Sequence, residues 1–255
     1  MKLKEFLNNP VGKGDSSYSR QLLISALNNK YDNLIRNKGD LIKTYVYHKL
    51  NSDEYFIHLN IPTETARDNS YDVVLHFYPD GESERNHSSI LNTHSIKFFC
   101  NAPSFAYSYA KVYDTNHMIE ESLKHKFPDE IFSSNPDVRN RFGVTNYDKY
   151  LYFGCKFVLE SRYLNRQTLL LRALSYSSTV MNSRVRTLDR IMIEYKKAEA
   201  KLKKDAIDRV KEKVEKATGK KIKSDNTSSD SIRQIKKKSG TSFTKVDKVK
   251  KVKKI

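Results

Sequence analysis

Six arginines within 29 residues are the strongest chemical signal in this sequence. They are Arg162, Arg166, Arg172, Arg184, Arg186 and Arg190, which are six of the fourteen arginines in the chain. An arginine side chain holds phosphate or carboxylate with a rigid two-pronged fork, whereas lysine is a mobile point charge. The cluster therefore predicts a structured surface that contacts nucleic acid or an acidic protein face.

Beyond Arg190 the positive charge is almost all lysine, which favours a diffuse neutralisation of polyanions. The tail contributes Lys236, Lys237, Lys238, Lys250, Lys251, Lys253 and Lys254. Residues 161–255 hold 28 Lys+Arg against 10 Asp+Glu, while residues 1–160 hold 19 against 20. The chain is thus a nearly neutral body with a basic extension. Contact with nucleic acid, contact with protein alone and a role in solubility all remain open.

Catalytic signals are weaker than this charge pattern. The glycines around Lys13 lack the spacing of a phosphate-binding loop. A nuclease site would draw on Asp72, Asp80, Glu82, Glu84 and Lys97, but Ser95 stands where the acid before Lys97 is needed. His58 and His76 have no closely spaced third ligand for a metal ion. We therefore expect a protein that is not an enzyme and that uses no metal or cofactor.

Composition limits the compartment and the class of protein. Two cysteines, Cys100 and Cys155, do not make a disulfide framework, so a reducing compartment and two buried thiols are expected. No apolar run has the length of a membrane span, and no charged start leads into an apolar signal segment. The sequence therefore predicts a soluble protein with no contact to a membrane.

Hydrophobic periodicity predicts an α+β fold. Apolar residues at alternate positions indicate strands near residues 42–50, 55–61, 71–78, 96–100 and 105–110, and the short links between them favour an antiparallel meander of about five strands. Helical spacing indicates flanking helices over residues 17–37, 118–124 and 146–163, with a strand over 150–159 as the alternative to the last. The aromatics between Phe98 and Tyr113 could stack bases on an open sheet or form its core.

Four segments follow from these patterns. Residues 1–16, rich in helix breakers, predict a flexible N-terminal arm, and residues 17–163 form the α+β body. Residues 164–218 predict a basic helical extension with a narrow apolar stripe and a break in the serine-rich stretch 175–183. Residues 219–255 predict a disordered lysine-rich tail, either solvated or docked on a partner as an extended peptide.

Three short stretches carry a resemblance to a known class of protein. They are residues 8–14 (NNPVGKG), 71–74 (YDVV) and 98–107 (FFCNAPSFAY). With the order of one helix, a meander and further helices, residues 1–165 resemble virion structural proteins of bacteriophages, of the head–tail connector or tail-completion type. The resemblance implies a ring homo-oligomer at the neck of a virion assembled in the host cytoplasm, with neighbouring virion proteins and DNA as partners. A free, non-specific nucleic-acid-binding protein is the alternative.

Overall fold

The structure is a computed structural model that describes residues 1–8, 17–64, 69–79, 90–133, 148–161 and 173–218. The chain divides into two compact units, Met1–Ala200 and Lys201–Ile255. The first unit holds one mixed sheet with helices around it, so the predicted α+β class is confirmed. The predicted tail, residues 219–255, lies outside the described residues.

The sheet has five strands in the order β4-β3-β2-β1-β5. The first four, β1 (Lys43–Lys49), β2 (Glu54–Pro62), β3 (Ser70–Pro79) and β4 (His94–Cys100), form the predicted antiparallel meander. The fifth, β5 (Leu174–Ser175), pairs with β1 in parallel. The prediction of an entirely antiparallel sheet is therefore wrong, because the last strand returns from much later in the chain.

The fifth predicted strand is also wrong in its place. Residues 105–110 belong to two short helices, α4 (Pro103–Ser108) and α5 (Ala110–Thr115), and to the turn at Tyr109 between them. Pro103 occupies the first turn of α4, where a missing backbone N–H costs nothing. Phe105 is fully buried whereas Tyr107 is 49% exposed, so the alternating aromatics do not share one face.

Two predicted helices are confirmed. Helix α2 (Ser17–Lys38) buries Leu27, Tyr31 and Leu34 at spacings of four and three. Helix α7 (Lys149–Glu160) begins after Asp148, whose side chain caps it, and the strand alternative is excluded. Apolar and aromatic residues crowd α7 because seven of its twelve residues are buried.

The helix predicted over 118–124 is wrong at its start. Residues Met118–Glu120 run beside β4, with Phe98 N–H donating to Met118 O and Glu120 N–H donating to Phe98 O, both at 2.8 Å. A 3-10 helix follows at Glu121–Lys126, and a short α6 at Glu130–Ser133. The edge of β4 supplies the hydrogen bonds that a first helical turn would have made.

The prediction of a flexible arm over residues 1–16 is wrong for its first half. Residues Leu3–Asn8 form a helix, α1, in which Leu3 and Phe6 are buried. The Phe6 ring lies 4.4 Å from the Phe98 ring, so α1 packs onto the sheet. A short α3 (Ile90–Thr93) precedes β4. Residues 9–16 of the arm lie outside the described part of the chain.

One face of the sheet is apolar, and the other, called the polar face, combines charged and histidine side chains with buried Val74 and Phe99. Alternate residues of β2, β3 and β4, such as Leu59, Leu75 and Phe98, are fully buried beneath α1 and α7. Helix α7 approaches closely at Gly154, where a Cβ would meet Val73 Cγ1 at 2.8 Å. The opposite face carries Glu54, His58, Asp72 and His76, and it positions the site described next.

The chain after β5 continues through two helices. Helix α8 (Ser178–Arg184) lies in the serine-rich stretch where a break was expected, and α9 spans Leu188–Thr218. The described residues at the start of this region bury Met181, Val185, Leu188 and Ile191. Farther along α9, side chains such as Tyr195, Leu202 and Val210 are about half exposed.

Candidate functional site

Asp72 is the centre of the polar sheet face. Its carboxylate is 1% exposed and accepts hydrogen bonds on both oxygens. Oδ1 lies 3.0 Å from His58 Nε2 and from Asn60 Nδ2. Oδ2 accepts from Asn101 Nδ2 at 2.8 Å, and from the Arg186 Nε and backbone N–H at 2.9 and 3.1 Å.

The protonation of Asp72 follows from these contacts. Burial alone would raise its pKa, but the His58 hydrogen bond and the nearby Arg186 charge hold the pKa well below its usual range. An ionised carboxylate can only accept, so His58 Nε2 carries a proton toward it. His58 Nδ1 is buried and has no hydrogen-bond partner among the described residues.

Arg186 joins the chain between α8 and α9 to the sheet. Besides Asp72, its guanidinium reaches Ser70 O at 2.9 Å and Glu194 Oε2 at 2.9 Å. Its own carbonyl accepts from Asn101 Nδ2 at 3.1 Å. The side chain is 15% exposed. Arg186 was predicted to contact a partner, and the structure places its guanidinium in an internal network.

The other predicted contact arginines differ in their surroundings. The Arg184 guanidinium lies 4.6 Å from the centre of the Tyr45 ring and donates to Tyr47 Oη at 3.1 Å. Arg190 is 66% exposed and donates to Glu194 Oε1 at 3.1 Å, one helical turn away. Arg162, Arg166, Arg172 and the predicted lysines of the tail (Lys236, Lys237, Lys238, Lys250, Lys251, Lys253 and Lys254) lie outside the described residues.

His76 lies between the carboxylates of Glu54 and Glu120, and these three residues form the His76 clamp. His76 Nδ1 lies 2.5 Å from Glu120 Oε2, and its Nε2 lies 3.1 Å from Glu54 Oε2. Lys49 donates to Glu54 at 2.9 Å. Burial opposes ionisation of both carboxyls, yet the contacts with His76, and with Lys49 in the case of Glu54, leave the pKa of each below its usual value.

His94, at the start of β4, has hydrogen-bond partners at both ring nitrogens. Its Nδ1 lies 2.7 Å from Thr93 Oγ1, and its Nε2 lies 2.7 Å from the carbonyl of Asp53. His58 and His76 share the polar face as predicted, but each has its own carboxylate partner. Within the described ranges no group of three histidine, cysteine or acidic side chains is placed to hold a metal ion.

The two cysteines are free and buried, as the sequence predicts. Burial raises the pKa of both thiols, so neither is poised as a nucleophile. Of the acids considered for a nuclease, Asp72 is enclosed by its donors, whereas Asp80, Glu82 and Glu84 lie outside the described residues. The described polar groups therefore bind one another and join distant parts of the chain.

Sequence reasoning missed the pairing of Asp72 with Arg186 and of His76 with Glu120. Asp72 was considered only as a metal ligand or nuclease acid, and Arg186 only as a surface contact. The pairs are separated by 114 and 44 residues, so no local periodicity links them. The available signal was an acid on the polar face of a strand, which must find a cationic partner if it is buried.

Helix α9 carries a run of exposed charged side chains. In the second unit, Lys201–Val210 are all exposed, and Lys204 and Lys211 lie on one side because seven residues make nearly two turns. Leu202 and Val210 are 49% and 55% exposed beside them.

In the part of the chain that the structure describes, every helix is too short or too polar to cross a membrane. The geometry of the polar sheet face and the charge of the C-terminal segment are thus the observations that bear on function. No protein-family model matches this sequence, and neither a curated protein nor a solved structure matches it.

Proposed function

We propose that this chain is a non-enzymatic structural protein of a bacteriophage particle, of the neck or head–tail connector class. In this proposal the α+β body assembles into a ring, and the long basic helix together with the lysine-rich residues 219–255 contacts neighbouring subunits or the packaged genome. A ring forms when one head-to-tail interface closes by rotation. The particle would assemble in the host cytoplasm, with other virion proteins as partners.

The observation that carries the proposal is the anchoring of the segment before α9. Arg186 ties this segment to buried Asp72, and Met181, Val185 and Leu188 are buried nearby. Histidine, acid and amide groups of the sheet face are used for this anchoring and for the clamp. These polar groups bind one another and the charged segment. This arrangement suits a structural role better than a catalytic one.

The exposed apolar side chains of α9 support contact with a partner. Leu202 and Val210 belong to the stretch Lys201–Val210, in which every residue is exposed, and a helix gains most of its stability from packing an apolar face. In the proposed assembly a neighbouring subunit covers them.

Electron micrographs of the full-length protein, alone and mixed with its virion neighbours, test the proposal. We expect closed rings with one subunit number. Single particles of monomer size in both samples would overturn it.

The charge of α9 favours a second candidate, a free non-specific nucleic-acid-binding protein. This candidate predicts that a monomer binds DNA tightly with a steep salt dependence. We would compare Lys204→Gln/Lys211→Gln with Lys4→Gln/Lys30→Gln, which removes equal charge from exposed positions of α1 and α2.

The two variants separate helix contact from general charge. If α9 binds phosphates, the first variant lowers the slope of log K against log salt by about one per lysine, and the second leaves it unchanged. A monomer with this behaviour would favour the free binder. Weak binding by a defined oligomer would favour the structural protein.

A further inference from the structure

Both ring nitrogens of His76 face carboxylate oxygens, at 2.5 Å for Glu120 and 3.1 Å for Glu54. A neutral imidazole has one N–H and one lone pair, so it can satisfy only one of these two acceptors. An imidazolium has two N–H groups and satisfies both. The clamp geometry therefore belongs to the doubly protonated ring.

The second oxygen of each carboxylate is already occupied. Glu120 Oε1 accepts from Ser122 N–H at 3.2 Å and from Ser122 Oγ at 2.6 Å. Glu54 Oε1 accepts from Lys49 Nζ at 2.9 Å. With Lys49 included, two positive groups balance two negative ones only while the ring is charged.

The surroundings of the ring favour the cation as well. Phe56 stacks on His76 with ring centres 4.0 Å apart, and Tyr176 stacks on Phe56 at 4.5 Å. An aromatic face attracts a cation placed over it. The charged and titratable groups around the ring, from every element that packs there, are Glu54, Lys49, Tyr78, Lys97, Glu120 and Tyr176.

We infer that the His76 clamp holds the segment Met118–Glu120 on the edge of β4 and that its hold depends on pH. Glu120 belongs to the segment that exchanges backbone hydrogen bonds with Phe98 at that edge. When the pH rises and the ring loses a proton, one carboxylate meets a lone pair. The segment then loosens, and the backbone edge of Phe98 becomes available to another strand.

Nuclear magnetic resonance of the full-length wild-type protein tests the protonation directly. Ring nitrogen shifts of His76 distinguish imidazolium from the neutral tautomers across about pH 5 to 9. We expect imidazolium at the acidic end and its loss on raising pH, together with a fall in the exchange protection of the Phe98 and Glu120 amides. A neutral ring throughout this range in the folded protein would overturn the inference.

Two variants separate the clamp from a general pH effect. His76→Gln presents an uncharged amide to both carboxylates, and His125→Gln changes an exposed histidine of the neighbouring 3-10 helix as the matched control. We expect protection at Phe98 to fall about 10- to 100-fold from pH 5 to 9 in wild type and in the control, and to stay level in His76→Gln. An equal fall in all three proteins would contradict the clamp. If His76→Gln does not fold, the ring shifts of the wild type still decide.

Discussion

Arg186 Nε lies 2.9 Å from Asp72 Oδ2, and the two residues are 114 positions apart in the sequence. Asp72 is 1% exposed and lies on a central strand, β3, whereas Arg186 lies two residues before the start of α9. The pair therefore joins strand β3 to the segment that leads into α9.

Removal of the Arg186 side chain leaves the Asp72 carboxylate buried without its guanidinium partner. We expect Arg186→Ala to lower the free energy of unfolding by about 3 kcal/mol, because an unpaired buried charge is costly. Arg190→Ala is the control, since Arg190 is 66% exposed and its pair with Glu194 should be worth less than about 0.5 kcal/mol. Urea unfolding of both variants measures the difference. Equal losses would contradict an internal role for Arg186.

Acid should destabilise the body through three carboxyls. The pKa values of Asp72, Glu54 and Glu120 are all lowered in the folded protein by their cationic partners. At acidic pH the unfolded chain then binds more protons than the folded one, so stability falls as pH falls. This contribution is complete above about pH 5 and is lost progressively below it. Urea unfolding between about pH 3 and 7 measures it, and Asp72→Asn should flatten the slope.

The pKa of Asp148 is shifted in the opposite direction, so its effect on stability has the opposite dependence on pH. Asp148 is buried at the start of α7, where it accepts from the Tyr150 and Leu151 N–H groups and from Ser104 Oγ. Burial raises the pKa of Asp148 despite these donors, so its charged form costs stability that is regained as pH falls through the folded pKa.

Two substitutions separate the cap from the charge at this position. Asp148→Asn keeps a capping oxygen without the charge, and we expect it to be at least as stable as the wild type at neutral pH. Asp148→Ala should lower the free energy of unfolding by about 2 kcal/mol, because the helix loses its cap and Ser104 Oγ loses its hydrogen-bond acceptor. Thermal unfolding ranks the three proteins, and an alanine variant equal to the asparagine variant would refute the capping role.

Close approach of α7 to the sheet depends on Gly154. A methyl group there would meet Val73 Cγ1 at 2.8 Å and Leu59 Cδ1 at 3.3 Å. Gly154→Ala should therefore destabilise by about 1 to 2 kcal/mol, although alanine favours the helix. In a Val73→Ala background the same change should cost less or become favourable. Denaturant unfolding of the four proteins tests this, and additive effects would rule out the contact.

The elements that the sequence predicts well are those whose pattern is long and local. Helix α2 places Leu27, Tyr31 and Leu34 along one side. In β2 and β3, which have nine and ten residues, side chains alternate between the two faces of the sheet. Residues 105–110 mislead because a short aromatic alternation fits a strand as well as two short helices. Strand β5 has only two residues and exists because β1 offers an edge, which no local pattern reveals.

The candidate site was harder to predict than the fold. Histidines His58 and His76 were placed correctly on one sheet face, since a period of two fixes the side of each residue. Their partners Arg186 and Glu120 come from segments that reach the sheet only through tertiary packing. Arginine spacing alone did not distinguish the internal Arg186 from the exposed Arg190, because burial depends on that packing.

The mass of the full-length protein in solution, measured by light scattering over a range of concentrations, decides whether it assembles into a ring. We expect one defined oligomer, larger than a dimer, whose mass does not change when nuclease removes nucleic acid from the sample. A monomer at every concentration, which binds DNA tightly and with a steep salt dependence, would contradict the structural role and favour a free nucleic-acid-binding protein.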